Sequence, residues 1–401
     1  MDVERIRRDF SILKSGVVYF DNAASSLTPE PVIEKMLEFY REYRANVERG
    51  VHRLSQEASE EYEEAHSKVA SFIGAKSPEE IIFVKNSTEA INVVARGLNW
   101  KKGDKIVTTL IEHHSNFIVW LRVKEKHGVT VEVVKPNPDG TFNLEDFEKV
   151  IDEKTKLVAM THVSNVLGVI TPVKEVCKIA HEKGALFLVD GAQSVPHMKV
   201  DVGEIGCDFL AFSGHKMLGP TGIGVLYVKE EVVNKLEPLC IGGGTIKNVD
   251  IDRYELAGSP ARFEAGTPPI AEAIGLGAAV EYLDKLGMEN VEKHDREVSE
   301  AIRRGLLEVP GVEVYGPEKP EERLGIVSFN VGDLNPHDVA MALDAMANIM
   351  VRSGHHCAMP LMKYLLKKPK GTVRASTYVY NTLEEAEELV QTVSEIARKL
   401  G

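Results

Sequence analysis

Short β-rich runs alternate with helical segments through the first two-thirds of the chain, at Ile81–Val84, Lys105–Thr109, Val129–Val134, Leu157–Thr161, Ala185–Val189 and Phe209–Phe212. That alternation predicts a mainly parallel sheet covered by helices, an α/β fold. Most of these runs end in polar residues: Asn86-Ser87-Thr88, Glu112-His113-His114, Ser164-Asn165, Asp190-Gly191-Ala192-Gln193 and Ser213-Gly214-His215-Lys216. In open α/β sheets ligands bind at the carboxyl ends of strands, so these clusters are expected to converge.

At 401 residues the chain exceeds the size at which one core stops growing, and two domains are expected. The pattern changes after about Ala271. A small-residue helix to Leu286, strands near Val312–Tyr315 and Gly325–Val331, and a closing helix Leu383–Leu400 read as a smaller α+β domain. The expected division is 16–270 for the large domain, with 1–15 and 271–401 forming the small one.

Composition narrows the partners. Lys and Arg total 48 against 61 Asp and Glu, a net charge of −13, and the basic residues are dispersed, which argues against nucleic acid. The N-terminus lacks an apolar signal region and no run is apolar enough to span a bilayer, so a cytoplasmic protein without membrane association is expected. The four cysteines, Cys177, Cys207, Cys240 and Cys357, form no C-x-x-C pair and no metal-like spacing, so neither a disulfide framework nor a metal site is expected. Cys177, Cys207 and Cys240 read as small buried hydrophobes. Only Cys357 has unusual neighbours.

Lys216 closes an apolar run inside a Gly-rich segment, and Gly219–Tyr227 reads as a turn and returning strand that places it at a tight bend. A desolvated amine there can form a Schiff base to an aldehyde cofactor, although most lysines are solvated surface charges. Asp190 follows Ala185–Val189, where a carboxylate needs a cation or donor. The ring nitrogen of pyridoxal 5′-phosphate is such a partner, and a helix N-cap is the competing reading. Asn86-Ser87-Thr88 opens a helix whose amides suit a phosphate, or merely caps it. Ser213 and His215 could add donors, and His113 could lie over a cofactor ring or be a satisfied structural histidine.

Asp190-Gly191-Ala192-Gln193, Ser213-Gly214-His215-Lys216 and Arg262–Pro268 together resemble the class V aminotransferase family of fold type I pyridoxal-phosphate enzymes. The likeness runs from Tyr19–Ala24 to Tyr380–Thr382. Within that family, Arg352–Pro360 is similar to the active-cysteine segment of the Suf-type, or group II, cysteine desulfurases and the related selenocysteine lyases. The resemblance implies a mainly parallel seven-stranded sheet sandwiched by helices. It implies Lys216 as the Schiff-base lysine, Asp190 as the pyridinium partner and Gln193 as a donor to the ring hydroxyl. Ser87, Thr88, Ser213 and His215 would hold the phosphate, with His113 stacked on the ring. Thr267 would reach a phosphate across a homodimer interface, giving shared active sites. Asn165 and Arg374 match the positions that bind the substrate carboxylate, where a planar guanidinium suits bidentate recognition. Arg352 would assist near the cysteine loop. Asn86-Ser87 stands where Gly-Thr is common in the family, Gly244-Thr245 stands where Gly-Glu is common, and Lys367–Gly371 lengthens the connection from Cys357 to Arg374.

The implied reaction takes sulfur from L-cysteine to give L-alanine and a persulfide on Cys357. Lys216 is its base, His113 its proton shuttle, and His355 and His356 are candidates to favour the thiolate. The sulfur would pass to an acceptor or iron–sulfur scaffold protein. Selenocysteine lyase, a class V aminotransferase or kynureninase-like enzyme with an incidental Cys357, and a non-catalytic scaffold for iron–sulfur assembly partners stay open as alternatives.

Overall fold

The computed structural model describes residues 1–48 and 50–400. Seven strands form the central sheet: β1 (Ile81–Val84), β2 (Lys105–Thr109), β3 (Thr130–Val134), β4 (Thr155–Thr161), β5 (Leu186–Asp190), β6 (Phe209–Ser213) and β7 (Gly224–Val228). Their spatial order is β1-β7-β6-β5-β4-β2-β3. The pairs from β6 through β3 are parallel, and β7 is antiparallel to both β6 and β1. β1 therefore runs in the direction of β6, and six carboxyl ends lie along one edge of the sheet. From β2 the chain goes outward to β3 and returns on the other side to β4, which puts a topological switch point between β2 and β4.

Period-two alternation sends each central strand's side chains into two cores. Leu157 and Ala159 face one side with Ile91 and Val94 of α2 (Ser87–Gly97) and Trp120 of α3 (Ile118–His127). Val158 and Met160 face the other, with Ala65 and Val69 of α1 (Arg53–Phe72). Burial on both faces explains why these strands read as unbroken apolar runs. The edge strand β3 instead alternates and exposes Glu132, which blunts it against further pairing.

The small-residue helix α4 (Ile270–Leu286), assigned above to the small domain, packs in this large core against α1. Its glycines permit the approach: a Cβ on Gly277 would meet Ala65 at 3.3 Å, and one on Gly275 would meet Met36 at 2.8 Å. Ile6, Phe10 and Leu13 join the same core. A separate core lies under the antiparallel sheet β8-β9-β11-β10, made of β8 (Val312–Tyr315), β9 (Ile326–Val331), β10 (Arg352–Gly354) and β11 (Thr372–Ser376). The helices α5 (Met288–Leu307), α6 (Pro336–Ala347) and α7 (Leu383–Leu400) cover it through Val298, Leu343 and Leu389. Val18 and Phe20 also lie in it, so the N-terminal chain bridges both cores. Among the described residues no helix is long and apolar enough to cross a membrane.

Candidate active site

Lys216 closes a short 3-10 turn, Gly214–Lys216, at the end of the fully buried β6. Gly214 makes that bend possible, since a Cβ there would stand 2.8 Å from Ile223. Burial lowers the Lys216 amine from 10.5 to about 8, against the pull of Asp190 and with Arg374 adding to the fall. The amine has no hydrogen-bond partner among the described residues. Asp190 ends the neighbouring β5, 3% exposed, and its Oδ1 accepts from Ala192 N at 3.0 Å. Burial pushes this carboxyl above its ordinary range, with the Ala192 amide and Lys216 acting against the shift.

Around them the predicted residues do converge. His113 follows β2 and caps the next turn, its Nδ1 accepting from Ser115 N at 3.1 Å. That bond fixes the proton on Nε2, and burial, helped by Lys216, lowers the ring to about 3, so it is neutral at physiological pH. Ser115 Oγ also lies 2.7 Å from Thr88 Oγ1, linking His113 to the start of α2. In that first turn Ser87 N donates to Ser213 Oγ at 2.9 Å and Glu89 N to Asn86 Oδ1 at 3.0 Å, which leaves Thr88 N unpartnered among the described residues. His215 reaches Ser25 Oγ at 3.2 Å and is held neutral, near 4, by burial. Gln193 donates to Ala23 O at 2.8 Å and keeps a buried, partnerless Oε1.

Opposite this floor stands the small sheet. Arg374 on β11, 2% exposed, donates to Asn165 O at 2.9 Å and to Asp21 Oδ1 at 3.2 Å, and its Nε is buried without a partner. Arg352, its register partner on β10, is half-exposed and 3.7 Å from the other Asp21 oxygen. Asn165 Nδ2 donates to His356 O at 2.8 Å, which ties the end of β4 to the cysteine loop. His356 and Cys357 are consecutive non-glycine residues with φ of 50° and 56°. The loop is held by His114, whose amide donates to Cys357 O at 2.6 Å and whose Nε2 accepts from Met359 N at 3.1 Å. Cys357 itself is exposed.

Three sequence readings need correction or addition. His356 brings no positive charge to Cys357: its ring is buried with Nε2 at 2.9 Å from Thr372 Oγ1, and burial takes it to about 2. His355 is committed to Pro369 O at 2.8 Å. Cys240 is exposed, while Cys177 and Cys207 are buried as expected. Asp21, His114, Ser115 and Glu112 belong to the site's framework, although the sequence reading gave none of them a role. Glu112, fully buried, is raised to about 8 by desolvation and accepts from Asn116 Nδ2 at 2.6 Å and from Thr161 N at 3.1 Å. Thr267 lies apart, exposed beside a surface cleft of about 300 Å³ lined by Asn46, Gly243 and Gly266.

The class-V aminotransferase family profile matches residues 18–389. The chain belongs to that family. A probable cysteine desulfurase of Pyrococcus abyssi is 52% identical over 99% of this chain and 98% of its own length. The apo structure of the cysteine desulfurase from Thermococcus onnurineus NA1 superposes with a TM-score of 0.95 at 51% identity, covering 99% of this chain and 98% of that one. The S-sulfonic acid form of the Escherichia coli cysteine desulfurase CsdA gives 0.92 at 32% identity, with both chains covered in full. The residues at the sheet edge fit pyridoxal phosphate. The partnerless Lys216 amine, the buried Asp190 carboxyl, the orphaned Gln193 oxygen and the free Thr88 amide are the donor and acceptor set an aldehyde, a pyridine ring and a phosphate require.

Proposed function

We propose that this chain is a pyridoxal-phosphate-dependent cysteine desulfurase that converts L-cysteine to L-alanine and carries the sulfur as a persulfide on Cys357. One observation carries the reading: a half-buried, partnerless amine stands at a strand end of the large sheet, and the loop bearing an exposed thiol is tied to the neighbouring strand ends by Asn165 and His114. When bound, pyridoxal phosphate supplies an aldehyde that captures the substrate amine and a ring that accepts the electrons released at Cα. Lys216 would hold the cofactor at rest and, once freed, take the α-proton as general base. Asp190 would keep a proton on the ring nitrogen. Ser87, Thr88, Ser213 and His215 would hold the phosphate, Gln193 the ring hydroxyl, and neutral His113 would cover the ring and pass a proton from Nε2. Arg374 has its Nε free for the substrate carboxylate, with Asn165 and Arg352 beside it.

Cys357 Sγ then attacks the substrate sulfur. The new S–S bond forms as the carbon–sulfur bond breaks, and the carbon skeleton leaves as alanine after protonation. A protein acceptor would receive the sulfur and deliver it to iron–sulfur cluster assembly. The reading includes a homodimer in which Thr267 completes the partner's phosphate site, supported by its exposure at the surface cleft. Incubating the loaded protein with cysteine and a reducing thiol tests the assignment. Equal amounts of alanine and sulfide, with an added sulfur on the Cys357 peptide by mass spectrometry before reduction, are expected. Keto-acid exchange without sulfide would replace it with an aminotransferase.

A further inference from the structure

The chain carries 61 acidic residues, yet positions 345–383, which include the Cys357 loop, contain no Asp or Glu. The same stretch holds Arg352, Lys363, Lys367, Lys368, Lys370 and Arg374. The lysines are not remote from the thiol. A helical segment starting at Met359 leads from the loop to Lys367, and the turn beyond it folds back on the loop through the 2.8 Å contact of His355 with Pro369 O. Gly371 lies so close to Gly354 that a Cβ would fall 2.2 Å from its carbonyl carbon, so the turn is fixed in place. Lys368 is neutralised by Glu313, but Lys363, Lys367 and Lys370 are exposed and have no acidic partner among the described residues. Met359 and Tyr364 stand exposed among them at 52% and 62%.

We infer that this basic rim is the docking surface for a sulfur-accepting protein whose thiol is surrounded by acidic residues. The inference rests on the desulfurase reading. It adds to it the chemistry of the partner. In the transfer, the acceptor thiolate attacks the outer sulfur of the Cys357 persulfide. The new S–S bond forms on the acceptor as the Cys357 Sγ–S bond breaks, and Cys357 leaves as a thiolate, so no outside oxidant or reductant is used. An acidic acceptor is repelled by the net charge of −13 on the whole chain and attracted by this acid-free rim, which gives orientation as well as attraction.

Holoenzyme loaded from ³⁵S-cysteine is mixed with synthetic peptides bearing one cysteine flanked by glutamates, by serines and glycines, or by lysines. The glutamate peptide should accept label about tenfold faster than the lysine peptide at low salt, and the gap should close as ionic strength approaches about 1 M. In the triple variant K363E/K367E/K370E the order should reverse while alanine formation with a reducing thiol stays at the wild-type rate. Equal rates for all peptides, or an unchanged preference in the variant, overturn the inference. If an oligouridylate is then retained by the wild type and not by the variant, the rim serves nucleic acid. Fluorescent peptides with serine for cysteine read binding without sulfur. An enzyme that makes no alanine would therefore sink the desulfurase reading alone, while the anisotropy of these peptides still decides the docking surface.

Discussion

Lys216 and Cys357 are held by structures built in different ways. The lysine closes a strand whose five residues are all buried, on a turn tied by Gly214 N to Ile223 O and by Gly219 N to Gly214 O. The cysteine is the exposed residue of a largely buried loop with two successive side chains in left-handed backbone, a conformation that costs roughly 1–2 kcal/mol per residue. Asn165, His114 and Thr372 hold that loop from three sides. In the roles proposed above, a lysine that grips a cofactor and moves a proton gains from a rigid floor. A group that must take an atom from one molecule and hand it to another has to remain reachable, and strain is tolerated where several contacts over-determine the shape.

The contrast can be broken at either end. Lys216→Ala should cut turnover by about 10³–10⁴-fold and abolish the yellow colour of lysine-bound cofactor, since no second amine is placed to replace it. A variant that still forms alanine at more than a hundredth of the wild-type rate would end the assignment of Lys216. Cys357→Ala and Cys357→Ser should keep the cofactor, respond spectrally to cysteine and lose sulfide release to background, because a hydroxyl is a poor nucleophile toward sulfur. Selenocysteine should retain some turnover in these variants. Wild-type sulfide release from Cys357→Ala would show that the loop is incidental.

Smaller effects test the shared wall. Arg374→Lys should raise KM for cysteine about 10–100-fold with a lesser change in kcat, since a point charge replaces a planar fork. An unchanged KM would remove Arg374 from substrate binding. The lysine's own titration gives a pH signature. Its amine is lowered from 10.5 to about 8, and only the neutral amine attacks an aldehyde. Uptake of pyridoxal phosphate by cofactor-free protein should therefore rise about tenfold per unit as pH climbs toward 8 and level off above it. A rise continuing toward pH 10 would mean the amine is not desolvated.

The strands and the polar clusters at their ends were legible because each rests on neighbours in sequence. Val312–Tyr315 and Leu383–Leu400 fall where predicted, and Asp190 and Ser213 prove to be the last residues of their strands instead of the first of their loops. What escaped is pairing across the chain. Asp21 meets Arg374 across 353 positions, and no local periodicity encodes that. His114 was passed over beside His113, because only the folded loop shows that it grips Cys357 and Met359. The α4 helix misled for a physical reason: its small apolar residues lack an amphipathic face, so the sequence says that it is buried but not in which core.

The four thiols of this chain also sort themselves by solvent. Cys177 and Cys207 are shut in the interior, and burial raises both, Cys177 to about 12, which leaves them unreactive toward dissolved electrophiles. Cys240 and Cys357 are the two that reagents can reach. A single exchange, Cys240→Ser, thus leaves Cys357 as the lone exposed thiol, on the loop proposed above to carry the sulfur. A fluorophore, spin label or crosslinker attached there would report on the approach of whatever comes to collect the cargo.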